Sequence, residues 1–413
     1  MWFLNIINDF IIGYPIVVSA IWIVGAIFES IYRRSEKFAK VSGDDLVSIL
    51  VPAHNEKDTL EDAIKAISKV DYSNFEVILV DDKSSDNTLE LMYKLQKEYA
   101  DQFKIKIVPI EHNQGKANAM NEGFAVSEGK YILGMDADSL LDKNSVKELL
   151  KTLKSNDKLG AVAGKPVVRN RTTVLGRLQL LEYIGVIDII KKAQSFLYGR
   201  INTVSGVIVG FRREALEDVG GWHTDVITED IDITWRLYRK GWQVSYQPTM
   251  ICWILVPEKT KNLIKQRRRW ARGGMEVIAK NHDLLLHSTI TQKALLYETI
   301  ISSIWAVLTA LSTISYFFNL FLIHEIQLDG DVLLILILVS IFQFCIGFYG
   351  SHESALLDFV DLLLIPAYIV YYWMINLVSC ILALVSFFLD PDNVGTWSSP
   401  DRGLNNYEKK KFG

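Results

Sequence analysis

Cysteine is scarce: Cys252, Cys345 and Cys380 are the only three in 413 residues. An odd, widely spaced set provides neither a disulfide framework nor the paired spacing of a structural zinc site, and it suits a reducing compartment. Neither sign of charge dominates. Lys and Arg number 44 against 48 Asp and Glu, a formal net charge of -4, so no strongly basic surface points to nucleic acid. The chain also lacks the leader pattern of a secreted protein. It opens Met1-Trp2-Phe3-Leu4-Asn5, without early positive charges or a small-residue cleavage site.

Long apolar runs are present at both ends. Residues 10–32 are long enough to cross a lipid bilayer and are followed at once by Arg33, Arg34, Lys37 and Lys40. The positive-inside bias makes this an uncleaved anchor, with the N-terminus outside and the following residues in the cytoplasm. Further spans are expected over 299–323, 332–349 and 362–389, the last interrupted by Pro366. The link 324–331 lacks Lys and Arg and fits the outside, whereas the basic end Lys409-Lys410-Lys411 asks for the inside. Four spans do not satisfy both ends. The stretch 354–389 is long enough for two short crossings or for an interfacial helix plus a span, so the parity stays open.

From Asp45 the pattern changes to short β-rich runs, at 46–51, 75–80, 103–108 and 131–135, alternating with amphipathic helices over 59–70, 87–99 and 117–126. Such alternation predicts a mostly parallel α/β sheet with ligand groups at the carboxyl ends of its strands. The motifs fall at those ends. The first strand leaves through Pro52-Ala53-His54-Asn55-Glu56 and the second through Asp81-Asp82. Acidic groups there can accept from a base or ribose, although an ordinary Asp/Ser turn capping the next helix accounts for them equally well. Gly115-Lys116 at a helix start is a ready phosphate site, and a solvated lysine is the blander account.

The fourth strand runs into Asp136-Ala137-Asp138. Read as strand, i and i+2 share a face, so the two carboxylates can share a hard divalent cation, Mg²⁺ or Mn²⁺, that neutralises a diphosphate. Gly206 and Gly210 allow close backbone approach, and Trp222 offers a flat ring, core packing being its commoner role. Thr228-Glu229-Asp230 falls where a helix begins, a capping run if taken alone. Gln266, Arg269 and Trp270, spaced i, i+3, i+4, share a helical face, with Arg267 and Arg268 expected to point elsewhere. A basic helix touching anionic lipid explains the arginines, but not the glutamine and tryptophan beside them.

Taken in order, Pro52-Ala53-His54-Asn55-Glu56, Asp81-Asp82, Asp136-Ala137-Asp138, Thr228-Glu229-Asp230 and Gln266-Arg267-Arg268-Arg269-Trp270 resemble the processive family 2 glycosyltransferases, which include the cellulose, chitin, hyaluronan and poly-N-acetylglucosamine synthases. The resemblance to the poly-N-acetylglucosamine branch is strongest over 202–274. It implies an α/β GT-A glycosyltransferase domain flanked by transmembrane helices, a divalent metal and an inverting transfer from a UDP-sugar, UDP-GlcNAc in that branch. Carried onto this chain it implies Asp230 as general base with Glu229 beside it, and Asp138 with Asp136 on Mg²⁺ and the diphosphate. Pro52, His54, Glu56, Asp81, Asp82 and Lys116 would bind the nucleotide-sugar. Trp222, Gln266, Arg269 and Trp270 would meet the acceptor, the growing polysaccharide.

Trp397 and Arg402 resemble a gating element of such synthases. The implied layout is an anchor over 1–40, a cytoplasmic GT-A domain over 41–280, interfacial and transmembrane helices over 281–390 and a tail over 391–413. Relatives that open with two spans suggest that a small membrane accessory protein supplies missing helices. A lipid-phosphate monosaccharide transferase shares the fold and the Asp-x-Asp but is not expected to have Gln266-x-x-Arg269-Trp270. A sugar-binding or channel scaffold that had lost catalysis would normally lack a carboxylate, and Asp136, Asp138, Glu229 and Asp230 are all present.

Overall fold

The computed structural model describes residues 2–35, 44–323, 330–349 and 357–389. Trp397 and Arg402 lie outside the described residues. The chain forms two compact units: a sheet unit drawn from Ser35–Gly176 and Gly199–Glu258, and a helical unit drawn from Met1–Arg34, Arg177–Tyr198 and Lys259–Asn393.

In the sheet unit the strands are β1 (Val47–Ala53), β2 (Phe75–Asp81), β3 (Lys104–Pro109), β4 (Tyr131–Met135), β5 (Leu140–Leu141), β6 (Leu159–Val168), β7 (Ile208–Arg212) and β8 (Gln243–Ile254). They form one sheet in the order β3-β2-β1-β4-β7-β6-β8-β5. The first four are parallel, β7 runs antiparallel to both β4 and β6, and β8 is parallel to β6. Every residue of β1, β4, β6 and β7 is buried, as expected of strands covered on both faces.

The first helix, α1 (Trp2–Ser35), belongs to the helical unit, and α2 (Leu60–Ile67), α3 (Thr88–Glu98), α4 (Lys116–Val126) and α5 (Ser145–Ser155) belong to the sheet unit. In α2 the buried residues are Leu60, Ala63, Ile64 and Ile67, the i, i+3, i+4, i+7 stripe that seats a helix on a sheet.

A buried polar brace sets the spacing of the central strands. Gly129 N–H donates to Ser48 Oγ at 2.8 Å, Ser48 Oγ donates to Glu76 Oε1 at 2.7 Å, and Lys106 Nζ pairs with Glu76 at 2.9 Å. The Ser48 hydroxyl and Glu76 Oε1 are hydrogen-bonded across neighbouring strands and a loop, and the Lys106 ammonium offsets the buried Glu76 charge.

Next come α6 (Val174–Glu182), α7 (Ile189–Tyr198), α8 (Arg213–Asp218), α9 (Glu229–Arg239), α10 (Thr260–Asn281), α11 (Leu284–His287), α12 (Ile290–Ile323), α13 (Gly330–Tyr349), α14 (Phe359–Leu363) and α15 (Ile365–Leu389). Among the described residues three stretches are long and apolar enough to cross a membrane: Asn5–Arg33, Ile290–Ser315 and Ile365–Leu389. Ile337–Tyr349 is a shorter apolar helical stretch. Specific polar contacts bind α1 to α12. Tyr14 Oη and Ser302 Oγ lie 2.5 Å apart, and Trp305 Nε1 donates to the Ile11 carbonyl at 2.9 Å. Glu298 Oε1 accepts from Trp22 Nε1 at 3.2 Å and from Gln194 Nε2 at 2.9 Å.

Between α6 and α7 the helix widens into a π-helical stretch, Tyr183–Asp188, where Gln343 Nε2 of α13 donates to the Gly185 carbonyl at 2.5 Å. Arg177 pairs with Asp358 at 2.8 Å and with Asp361 at 2.7 Å, which ties α6 to α14.

The strand brace makes a test. A Cβ on Gly129 would lie 2.5 Å from Ser48 N and 2.9 Å from the Leu46 carbonyl, both backbone atoms that cannot rotate away. Gly129→Ala is expected to cost roughly 1–3 kcal/mol, read as a Tm several degrees lower for the purified protein. An unchanged Tm would show that the strands yield at this point.

Candidate active site

The strand carrying Asp136 and Asp138 ends at Met135, and Ser139 N–H donates back to the Asp136 carbonyl at 3.1 Å. The two aspartates therefore sit in a turn, and the strand alternation expected to place them side by side does not apply. Asp138 is buried, with Ser139 Oγ 3.3 Å from its carboxylate and Arg169 donating to its carbonyl at 3.0 Å. The Asp136 carboxylate is 18% exposed and accepts from Lys116 Nζ at 2.5 Å.

Lys116 gathers the rest. Its ammonium also donates to the Gly206 carbonyl at 3.0 Å and lies 3.7 Å from Glu229 Oε1. Gly206 N–H in turn donates to Asp230 Oδ2 at 3.2 Å, while Asp230 Oδ1 accepts from Ile231 N–H at 2.9 Å. The Gly206 peptide thus bridges the lysine and the aspartate. A side chain at Gly206 would intrude here, because its Cβ would lie 3.2 Å from Lys116 Nζ and 3.5 Å from Asp230 Oδ2. Thr234 Oγ1 donates to the Asp230 carbonyl at 2.7 Å and accepts from Val204 N–H at 3.0 Å, so the start of α9 is braced on the Gly206 segment. Burial alone would lower the Lys116 ammonium. Asp136, Glu229 and Asp230 outweigh it and hold Lys116 above its ordinary value.

The loop before Lys116 is fastened to the second strand. Asp82 accepts from Gln114 N–H at 3.0 Å and from Gly115 N–H at 2.9 Å, one bond to each carboxylate oxygen. Burial still pushes the Asp82 carboxyl up, against those two bonds and His54. His54 Nδ1 lies 2.8 Å from the Asp82 carbonyl, with Asn113 Nδ2 at 3.2 Å from the same nitrogen. Asp81 accepts from Ser84 N–H at 3.3 Å.

Glu56 is buried and accepts from Thr59 Oγ1 at 2.7 Å, and Pro52 lies within β1, paired with Val80. Asn55 has a φ of 58°, a left-handed position that asparagine tolerates, and its Oδ1 accepts from Ser85 N–H at 2.7 Å in the turn after β2. The ends of β1 and β2, the 112–116 loop, the Asp136 turn, Gly206 and the start of α9 therefore converge.

Other candidates lie elsewhere. Trp222 is buried at 4% exposure, its ring edge-on to Phe211 and Phe124, so it is a packed core residue and not an open stacking face. Gln266, Arg269 and Trp270 lie on α10, in the helical unit. Arg267, expected to point away from them, is buried, pairs with Glu182 at 2.9 Å and places its guanidinium 4.1 Å from the Trp270 ring centroid. Residues three apart on a helix are neighbours, which is the signal that identifies this contact. Asn55, inside the 52–56 motif, and Asn113 were given no role in the sequence reading. Their sequence signal is a polar residue beside the motif groups, His54 and Glu56 for Asn55 and Gly115-Lys116 for Asn113.

Among the described residues no group of three or more His, Cys, Asp or Glu is placed to hold a metal. Asp136 and Asp138 do fit the pattern in which one or two carboxylates and substrate phosphate oxygens share Mg²⁺. The Lys116 ammonium on Asp136 shows that a positive charge is already accommodated there.

The fold and these convergent motifs define a nucleotide-sugar transferase. Residues 44–273 match the model of the family described as glycosyltransferase like family 2, and the chain belongs to that family. It is 35% identical over 426 residues to the poly-β-1,6-N-acetyl-D-glucosamine synthase of Staphylococcus epidermidis, with 96% of this chain and 98% of the relative covered. The synthase of Staphylococcus aureus (strain MSSA476) is 33% identical over 413 residues, with the same coverage. A mannosyltransferase from Pyrobaculum calidifontis, solved with GDP-Man and Mn²⁺, has the same fold, with a TM-score of 0.57 at 19% identity over 92% of this chain and 99% of its own.

Because the Lys116 value is raised, its pairing stabilises fully below pH 10.5 and is lost only as pH climbs through the raised value. Lys116→Gln is therefore expected to lower stability by roughly 3 kcal/mol, and by the same amount at pH 7 and pH 9. Thermal melts at the two pH values check this, and a cost that fades by pH 9 would contradict the pairing.

Proposed function

We propose that this protein is a membrane-embedded, processive, inverting N-acetylglucosaminyltransferase that builds poly-β-1,6-N-acetyl-D-glucosamine, a biofilm polysaccharide, from UDP-GlcNAc. The observation that carries the proposal is the junction at Lys116. One ammonium joins the Asp136 turn to Glu229, and through the Gly206 peptide to Asp230. Identity to the named synthases over nearly the whole chain supports the polymer assigned.

Asp230 acts as the general base. Gly206 and Ile231 N–H groups fix one carboxylate oxygen each, and the side chain remains partly exposed. It takes the proton of the acceptor hydroxyl as that oxygen bonds to the anomeric carbon and the bond to the diphosphate breaks. Attack from the face opposite the leaving group inverts configuration. Asp136 and Asp138 would hold Mg²⁺ or Mn²⁺, whose charge neutralises the departing diphosphate. Lys116 adds a cation at the same end. Asp82 spends its carboxylate on the 112–116 loop, so Asp81 is the better candidate for the uridine, with Pro52, His54 and Glu56 shaping that end.

Gln266, Arg269 and Trp270 enter the proposal as acceptor- and diphosphate-binding groups of the helical unit. Arg33, Arg34, Lys37 and Lys40 after the first span support a cytoplasmic placement of the sheet unit. Export through the helical unit, with a small membrane accessory protein, belongs to the same reading.

The test uses membranes containing the full chain, supplied with Mg²⁺ and either UDP-GlcNAc or UDP-glucose. Long product from UDP-GlcNAc alone is expected, abolished by EDTA and restored by Mg²⁺ or Mn²⁺. Asp230→Asn should lower turnover by about 10²–10⁴-fold with little change in Tm. Single transfers to lipid would point to a monosaccharide transferase. In sealed vesicles, polymer left wholly on the UDP-sugar side would refute export.

A further inference from the structure

Arg267 sits inside the most basic stretch of α10, beside the exposed Arg268 and Arg269, yet it is only 6% exposed. Its Nη2 donates to Glu182 Oε2 at 2.9 Å, at the end of α6 where the π-helical stretch begins. Tyr371 Oη donates to the same oxygen at 3.4 Å. The flat guanidinium has its carbon 4.1 Å from the centroid of the Trp270 ring, and Trp270 itself remains partly exposed. A planar cation on an indole is the favoured cation–π geometry, and arginine can stack by its face while bonding a carboxylate by its edge.

We propose that Glu182 and Arg267 are positioning residues that hold the indole of Trp270 as a fixed stacking surface for a sugar ring of the growing polymer. The proposal rests on the synthase reading given above. Arg267 cannot swing away without leaving the buried Glu182 carboxylate with the Tyr371 hydroxyl and no opposite charge, which holds the guanidinium in place against one face of the indole. A free tryptophan on a helix surface samples several rotamers, whereas a backed ring keeps one. For a polymer that must shift by one sugar after each addition, a ring held in one orientation offers the same flat surface at every step.

The test labels the full-length protein with 5-fluorotryptophan and assigns the Trp270 resonance by its loss in Trp270→Phe. Arg267→Lys keeps the charge opposite Glu182, and so the fold, but removes the planar face. It is expected to move the Trp270 resonance while the other tryptophans stay in place. With UDP-GlcNAc it should shorten the polymer and lower kcat/KM by roughly three- to thirtyfold. In the Trp270→Phe background it should add little, because the indole is gone and a phenyl ring gives the guanidinium a smaller, weaker cation–π face. Glu182→Gln, which keeps the guanidinium but not its anchor, should shift the same resonance.

An unmoved resonance in Arg267→Lys would overturn the proposal. So would a moved resonance with normal chain length, or losses from Arg267→Lys and Trp270→Phe that multiply. A wild-type protein that makes no polymer would refute the synthase reading instead, and the fluorine shift would then decide by itself whether the pair holds the ring.

Discussion

The sheet unit depends on one cation among acids. Asp136 and Glu229 are brought to a single ammonium, with Asp230 held one peptide away. Like charges at such separations repel by several kcal/mol in a partly dry site unless something positive stands between them. Lys116 is that charge, and its own position is prepared by Asp82, which binds the two amides just before it. His54 and Asn113 brace the same corner. The end of β2 and the start of α9 are thus joined by a continuous run of hydrogen bonds, from Asp82 to the 112–116 loop, and from Lys116 through the Gly206 peptide to Asp230.

The helical unit meets the opposite requirement, polar groups placed among apolar helices. Arg177 with Asp358 and Asp361, Lys192 with Asp188, and Arg267 with Glu182 each have an opposite charge within bonding distance. A buried charge is tolerated only with such a partner, and removing one partner costs more than the pair contributes. Lys192 and Asp188 lie one turn apart in a single helical run, whereas the Arg177 and Arg267 pairs join helices distant in sequence and so specify which helices meet where apolar contact alone would permit many arrangements.

Much of the sheet unit was legible in the sequence because its signals are local. The runs at 46–51, 75–80, 103–108 and 131–135 became β1 to β4, and the amphipathic helix expected over 59–70 became α2, since period and punctuation decide these elements. The insertion of β7 between β4 and β6 was not legible. Its pairing with Ile132 and Val162 is set by residues far away in the chain. The motif carboxylates could be named from their order, but their setting could not. Asp136 and Asp138 looked like strand residues because the turn closing at Ser139 carries no glycine or proline to announce it. Arg267 looked solvent-facing because its partner, Glu182, is 85 residues away. Trp222 carries the same letter whether it packs or stacks.

Glu298 shows what long-range polar contact demands of assembly. Its carboxylate oxygen is bonded by Trp22 and Gln194, which lie 276 and 104 residues earlier in the chain. Both donors leave the ribosome long before their acceptor. The first helix must therefore wait, with the Trp22 indole bonded to water or headgroups, until α12 has been made. Contacts of such separation form late because the connecting chain must first be ordered. A chain that stopped before residue 298 would keep its first helix but not this junction.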